Sequence, residues 1–214
     1  MRYDSATVKG ESEGEILALG GCVNAGLPQI DLAEMQPRES QEVADRAMVL
    51  NVLVCMSFGA PLKLVRPWLE EHRLTSVLSP EEQEIVLASR DPSESVRNRL
   101  RWNIEALWAA AWAGCLVEDF GPTTPIGDQL ASLLPDLRVQ EPPRRFRESF
   151  RTRSPATLLA KLDLFYRAHW AARDSRISGS SNCPFNEGVV HERRKLLEWA
   201  LNASAEWDDV EMST

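Results

Sequence analysis

Apolar residues recur three and four positions apart along most of this chain, and no segment alternates with period two over a β-branched run. That spacing is the signature of helices rather than strands. From about Arg38 the run RESQEVADRAMVLNVLVCMSF has the length and composition of a core helix, and its second half is apolar nearly all round, which implies burial on several sides. Gly59 and Pro61 end it. Pro67 fits the first turn of a short helix, PWLEEHRL, where a proline's missing amide has no intrahelical partner to lose. SPEEQEIVLASR opens with Ser79 as N-cap, Pro80 at the first position and Glu82 three residues after the serine, a capping box with acids at the positive helix end. The run SVRNRLRWNIEALWAAAWAGCL places Leu100, Ile104, Leu107, Trp108, Ala111, Trp112 and Cys115 along one broad face and predicts the central helix.

Beyond it, EDFGPTTPIG is turn chemistry, DQLASLLP predicts two helical turns, and LRVQEPPRRFRESFRTR is a basic stretch broken by a double proline. SPATLLAKLDLFYRAHWAAR repeats the Ser-Pro start at Ser154 and Pro155, with Leu158, Leu162, Phe165 and Trp170 as core candidates. DSRISGSSNCPFNEG, with its Ser and Gly cluster at 178–181, is the longest predicted loop. A final helix is expected from about Val189 to Ala203, with Val190, Leu197 and Leu201 inward. Residues 1–15 are polar and expected to be loose, and GGCVNAGLP continues them as an irregular lead-in. The resulting expectation is a mainly α protein: a loose lead-in over 1–27, a single compact multi-helix domain over 28–210 built round a Trp-rich central helix, and a tail over 211–214.

Length and composition agree with one domain, since 214 residues at 43% apolar content supply one sizeable core. The N-terminus lacks the apolar core of a signal peptide, and no window approaches ~18 uninterrupted apolar residues, so a soluble, cytoplasmic protein without a membrane span is expected. Four cysteines, at 22, 55, 115 and 183, form no CxxC pair and read as buried free thiols. The net charge of −8 argues against default nucleic-acid binding and is compatible with a basic protein partner. That charge is uneven: residues 138–176 hold ten Lys and Arg against four Asp and Glu, a local +6 that leaves −14 on the rest.

Chemical motifs are sparse. HERRK at 191–195 resembles a zinc-binding helix only at its start, because HExxH needs a second imidazole one turn on and Lys195 stands there. His169, beside Trp170, reads as a packed histidine or a catalytic base, although no GxSxG elbow supplies a nucleophile. The pairs Glu39/Glu42 and Glu81/Glu84 have the ExxE spacing with which facing helices hold magnesium against a pyrophosphate, yet both lie in first helical turns, where glutamate is expected for capping alone. Glu105, a carboxylate in the middle of the Trp-rich helix, is either a buried partner of an arginine or a site residue. Arg144, Arg145, Arg147, Arg151 and Arg153, interleaved with Phe146 and Phe150, form a candidate anion or partner patch. Asp208 and Asp209, after Trp207, read as surface carboxylates beside an indole that packs down. No cofactor is predicted.

The ordered blocks RESQEVADRAMVL, PWLEEHRLTSVLSPEEQE, RWNIEALWAAAWA, DLFYRAHWAARD and VVHERRKLLEWAL, ending in WDDV, resemble the mainly bacterial family catalogued as domain of unknown function 4272, over roughly residues 28–210. The resemblance implies one compact domain and carries no activity, ligand or catalytic residue with it. The matching positions, among them Arg46, Trp68, Glu105, Trp112, Arg173 and Asp174, are indoles, guanidinium groups and acids, the makings of packed aromatics held by charged partners. From these residues a polar network of Arg46, Glu105, Arg173 and Asp174 is expected around the central helix. The functional expectation is a non-enzymatic acidic interaction domain, in its most concrete form an immunity-type inhibitor that covers a basic toxin or nuclease. The alternative is a metal-dependent nucleotide hydrolase built on Glu39, Glu42, Glu81 and Glu84, or an enzyme centred on Glu105 and His169.

Overall fold

In the computed structural model, which describes residues 4–180 and 182–214, the chain forms α1 (Ser5–Ala18), α2 (Ser40–Ser57), α3 (Leu62–Glu71), α4 (Pro80–Val86), α5 (Glu94–Leu100), α6 (Asn103–Ala113), α7 (Leu130–Leu133), α8 (Arg144–Ser149), α9 (Pro155–Ser178) and α10 (Glu187–Leu201). Among the described residues there is no strand, only an isolated parallel bridge between Gln36 and Asn202. Helices α1, α9, α10, α6 and α2 pack in that order, each on the next, and α3, α5 and α8 also pack on α2.

Helix α6 sits inside this row as expected. Ala106 through Ala113 are all buried, among them Trp108 and Trp112, and α6 packs on both α2 and α10. The long helix expected over 95–116 is interrupted, however. Asn103 Nδ2 donates to the Leu100 carbonyl at 3.0 Å, and the next amides bond three residues back rather than four, so Arg101 and Trp102 form a tight turn between α5 and α6.

Local start signals act where they were read. Ser79 and Glu82 complete their capping box, and Ser154 caps α9 ahead of Pro155. Pro67 does not start a helix: α3 begins five residues earlier, after Pro61, and carries Pro67 on its exposed side. Helix α9 also runs to Ser178 and is stopped by Gly179 at φ +72°, a left-handed turn natural to glycine, so the expected loop is shorter than its sequence implied. Ser181 of that loop lies outside the described residues.

The loose lead-in expected over 1–27 is instead a helix over Ser5–Ala18, while 19–27 are turns and irregular chain as expected and Met1–Tyr3 lie outside the described residues. Asp4 caps α1 through the Thr7 amide, Ile16 is fully buried against α9, and Lys9 Nζ donates to the carbonyls of Ala25 and Leu27 at 2.7 Å each. The helix is held by cross-chain polar contacts more than by an apolar stripe.

Candidate functional site

Four arginines, Arg46, Arg167, Arg193 and Arg194, are buried to 3% exposure or less, and each has a carboxylate partner. Their pairings differ from the expected network. Arg46 of α2 meets Glu82 of α4 rather than Glu105, and its guanidinium lies 4.2 Å from the Trp207 ring centre. Glu105 of α6 is held by Arg193 of α10, which also donates to the carbonyls of Gly121 and Thr124 at 2.6 and 2.8 Å. Arg167 pairs within α9 with Asp163 at 2.8 Å and reaches Glu13 of α1 at 3.3 Å. Arg173 is half-buried and Asp174 exposed, so neither enters these contacts. Burial pulls the Arg46 guanidinium below its ordinary pKa, and Glu82 opposes that shift. No local period in the sequence marks Glu82 or Arg193 as partners, because Arg46–Glu82 and Glu105–Arg193 are made across helices, whereas Arg194 and Glu198 stand four residues apart on α10.

His169 is buried, and its Nδ1 lies 3.0 Å from Arg194 Nη1. A guanidinium only donates, so Nδ1 accepts and the ring proton sits on Nε2. Burial, then Arg194, then the His191 ring packed edge-on at 5.3 Å push the His169 pKa down to about 4. It is a neutral hydrogen-bond acceptor at neutral pH. Glu105 and His169 are thus each committed to a different arginine of α10. His191 is half-exposed and pairs with Glu192 at 3.2 Å.

Glu39, Glu42, Glu81 and Glu84 are all exposed, and among the described residues no group of three or more His, Cys, Asp or Glu is placed to share a metal ion. Glu42 instead closes the start of α2, accepting from the Glu39 amide at 2.9 Å and facing Arg38 at 3.3 Å. The segments that carry these acids nevertheless come together. Residues 36–38 run beside 200–203 through hydrogen bonds from Gln36 to Leu201, Arg38 to Ala200 and Ala203 to Gln36. Asp208 Oδ2 accepts from the Glu81 amide at 3.0 Å and so caps the first turn of α4. Trp207 packs down, 5% exposed, against Trp199. The starts of α2 and α4 and the segment 203–209 therefore present Glu39, Glu42, Glu81, Glu84, Glu206 and Asp209 to solvent, with Arg46 buried beneath and Arg38 mostly covered.

The interior makes the exterior more acidic than the total suggests. Among the described residues, four buried arginines against two buried acids, Glu82 and Asp163, leave +2 inside, so the rest of the −8 chain carries −10.

The arginine patch is divided. Arg147 Nε is 2.7 Å from Asp45 of α2, and Arg153 donates to the Trp112 and Val117 carbonyls at 2.8 and 3.0 Å and to Glu118 at 2.9 Å, so both serve as ties. Arg144, Arg145 and Arg151 are exposed, the first two facing Glu148 and Glu141. The four cysteines are free thiols, but none is buried: Cys22 and Cys115 are exposed and Cys55 and Cys183 half-buried.

A cleft of about 810 Å³ opens between the second half of α2, the start of α6 and the segment 126–138. Val54, Ile104, Leu107 and Leu134 line its walls, and Phe58 stands 71% exposed at its edge. The sequence reading missed it, because three separated segments build it.

No helix among the described residues is long and apolar enough to cross a membrane. Comparison with curated proteins and with solved structures gives no match. The profile of the domain of unknown function DUF4272 matches residues 9–210, beginning inside α1 and ending past Trp207, so the buried indoles, the four interior arginines and helices α2–α10 all fall within it. The chain belongs to the DUF4272 family.

Proposed function

We propose that this protein is a non-enzymatic interaction domain whose acidic face, formed by the starts of α2 and α4 and the segment 203–209, docks a basic protein. The supporting observation is the separation of charge by depth: Arg46 and Arg38 are withdrawn while Glu39, Glu42, Glu81, Glu84, Glu206 and Asp209 stay in solvent. Such a face attracts a cationic surface over about 8–10 Å at ordinary salt and accelerates encounter. The most concrete form is an immunity-type inhibitor that covers the basic active site of a nuclease toxin, with a cytoplasmic location to match.

The test is capture from native lysate at low salt, followed by elution with rising salt. The reading expects one basic protein in stoichiometric amount, released by salt and lost when Glu81, Glu84 and Asp209 are changed together to lysine. Reversal of Glu11 and Glu15, exposed on α1 away from this face, should leave capture intact. Equal capture by both variants, or a partner indifferent to salt, overturns it.

A further inference from the structure

We propose that the cleft between α2, α6 and the 126–138 segment is a binding site for a small cationic amphiphile, an aliphatic tail carrying an ammonium head. Its volume, about 810 Å³, falls in the range of small-molecule sites, which are mostly apolar with a few polar groups that orient the ligand. Val54, Ile104, Leu107 and Leu134 offer a tail the surface it needs.

The polar groups choose the head. Asp136 and Arg138 satisfy each other, with Arg138 Nη2 at 2.7 Å from Asp136 Oδ2 and its Nε at 3.0 Å from Oδ1, so neither charge is spare. Asp128, exposed on the same lining, has no ion-pair or hydrogen-bond partner among the described residues. Arg101, 5.8 Å over the Phe58 ring, does not line the cleft. The uncompensated charge of the lining is therefore a single carboxylate, which attracts an ammonium group and repels an aliphatic carboxylate. Deeper in, the Asn51 side chain is 3% exposed and uses one N–H on the Pro135 carbonyl at 3.3 Å, with the Cys55 thiol 3.8 Å from its oxygen. Its remaining donor and acceptor capacity is a polar foothold in an otherwise apolar wall. This inference does not depend on the acidic face, which lies at the start of α2, on α4 and along 203–209, whereas the cleft uses the second half of α2.

The experiment uses three probes with one tail and three heads: octyltrimethylammonium, octanol and octanoate. Each is titrated into the full-length protein by calorimetry, and iodoacetamide labelling of Cys55 is followed by mass spectrometry, with exposed Cys22 and Cys115 as internal controls. The expected result is saturable binding in the order ammonium, alcohol, carboxylate, with about fivefold between neighbours, the size of one exposed charge contact. Cys55 labelling should slow in parallel while Cys22 and Cys115 do not change. Asp128→Asn should bring the ammonium down to the alcohol's affinity and leave the alcohol unchanged. Ile126→Trp, which fills the cleft from a half-buried position, should abolish all three. No saturable heat and no Cys55 protection with any probe overturns the site; an unchanged order in Asp128→Asn overturns the choice of ligand.

Discussion

Arg193 donates its Nε–H to one oxygen of Glu105 at 2.8 Å, with Nη2 of the same guanidinium 2.7 Å from that oxygen, and so ties α10 to the first turn of α6. Arg193 is 1% exposed, which makes the pair a condition of the packing rather than an ornament on it. Removing one member of a buried pair leaves the other charge uncompensated, at a cost of about 3–5 kcal/mol. Glu105→Ala should lie near the lower end, about 3 kcal/mol, because the Gly121 and Thr124 carbonyls still receive Arg193. Glu105→Gln, which keeps an acceptor, should cost less. Urea denaturation of both variants checks this, and an Ala variant as stable as its parent would refute the assignment.

His169 predicts an acid-side loss of stability. Its folded pKa of about 4 lies below the ordinary 6.5, so between those values the unfolded chain binds the proton and the folded protein does not. The contribution is complete above pH 6.5 and is lost as pH falls toward 4, reaching about 3 kcal/mol. Arg194, His191 and Arg173 oppose protonation of this ring and Glu187 favours it. His169→Gln keeps an acceptor for Arg194 and does not titrate. Subtracting its stability–pH curve from the parent's isolates the histidine from the carboxylates, and a difference flat from pH 7 to 4 would sink the claim.

Gly114 ends α6 where the backbone passes under an aromatic ring. A Cβ there would lie 2.2 Å from Phe150, itself 2% exposed and pinned by the Arg151 amide bonding back to the Gly114 carbonyl at 3.1 Å. Gly114→Ala should therefore destabilise by about 1–3 kcal/mol through overpacking. Phe150→Leu in the same chain should recover part of that loss, which distinguishes a clash from a backbone effect. Melting of the single and double variants decides between them.

Element starts were legible in the sequence because the chemistry of a cap is local: Ser79, Pro80 and Glu82 lie within four residues, as do Ser154 and Pro155. The inward placement of Trp108 and Trp112 was legible for the same reason, a period of 3.6 read over one helix. What failed was pairing at a distance. Arg46 and Glu105 were expected to share a network, but nothing in either helix encodes that Glu82 stands 36 residues from Arg46 and faces it. Helix α1 was missed because its composition is polar with Gly10 and Gly14 inside, and its hold on the fold is Glu13 to Arg167 rather than an apolar stripe. The acidic face was partly visible as four glutamates with helical spacing. Their convergence with Glu206 and Asp209 depends on the C-terminal segment returning past α2 and α4.

The Arg46–Glu82 pair sets the last prediction, since it fixes α4, and with it Glu81 and Glu84, against α2. Glu82 has two tasks: one oxygen meets Arg46, and the other accepts from the Ser79 amide at 2.9 Å. Glu82→Ala loses the cap and strands a buried guanidinium, so it should cost at least about 3 kcal/mol. Arg46→Met with Glu82→Gln removes both charges and keeps both an acceptor for Ser79 and an unbranched chain beneath Trp207. A buried ion pair replaced by groups of similar volume is often near neutral. The double variant should therefore be more stable than Glu82→Ala, with a coupling of more than about 1 kcal/mol between the two sites in the Met/Gln cycle. If the two single changes simply added, the guanidinium would be held by its surroundings rather than by Glu82, and the anchoring of the acidic face would have to be sought in Asp208 and the α4 amide instead.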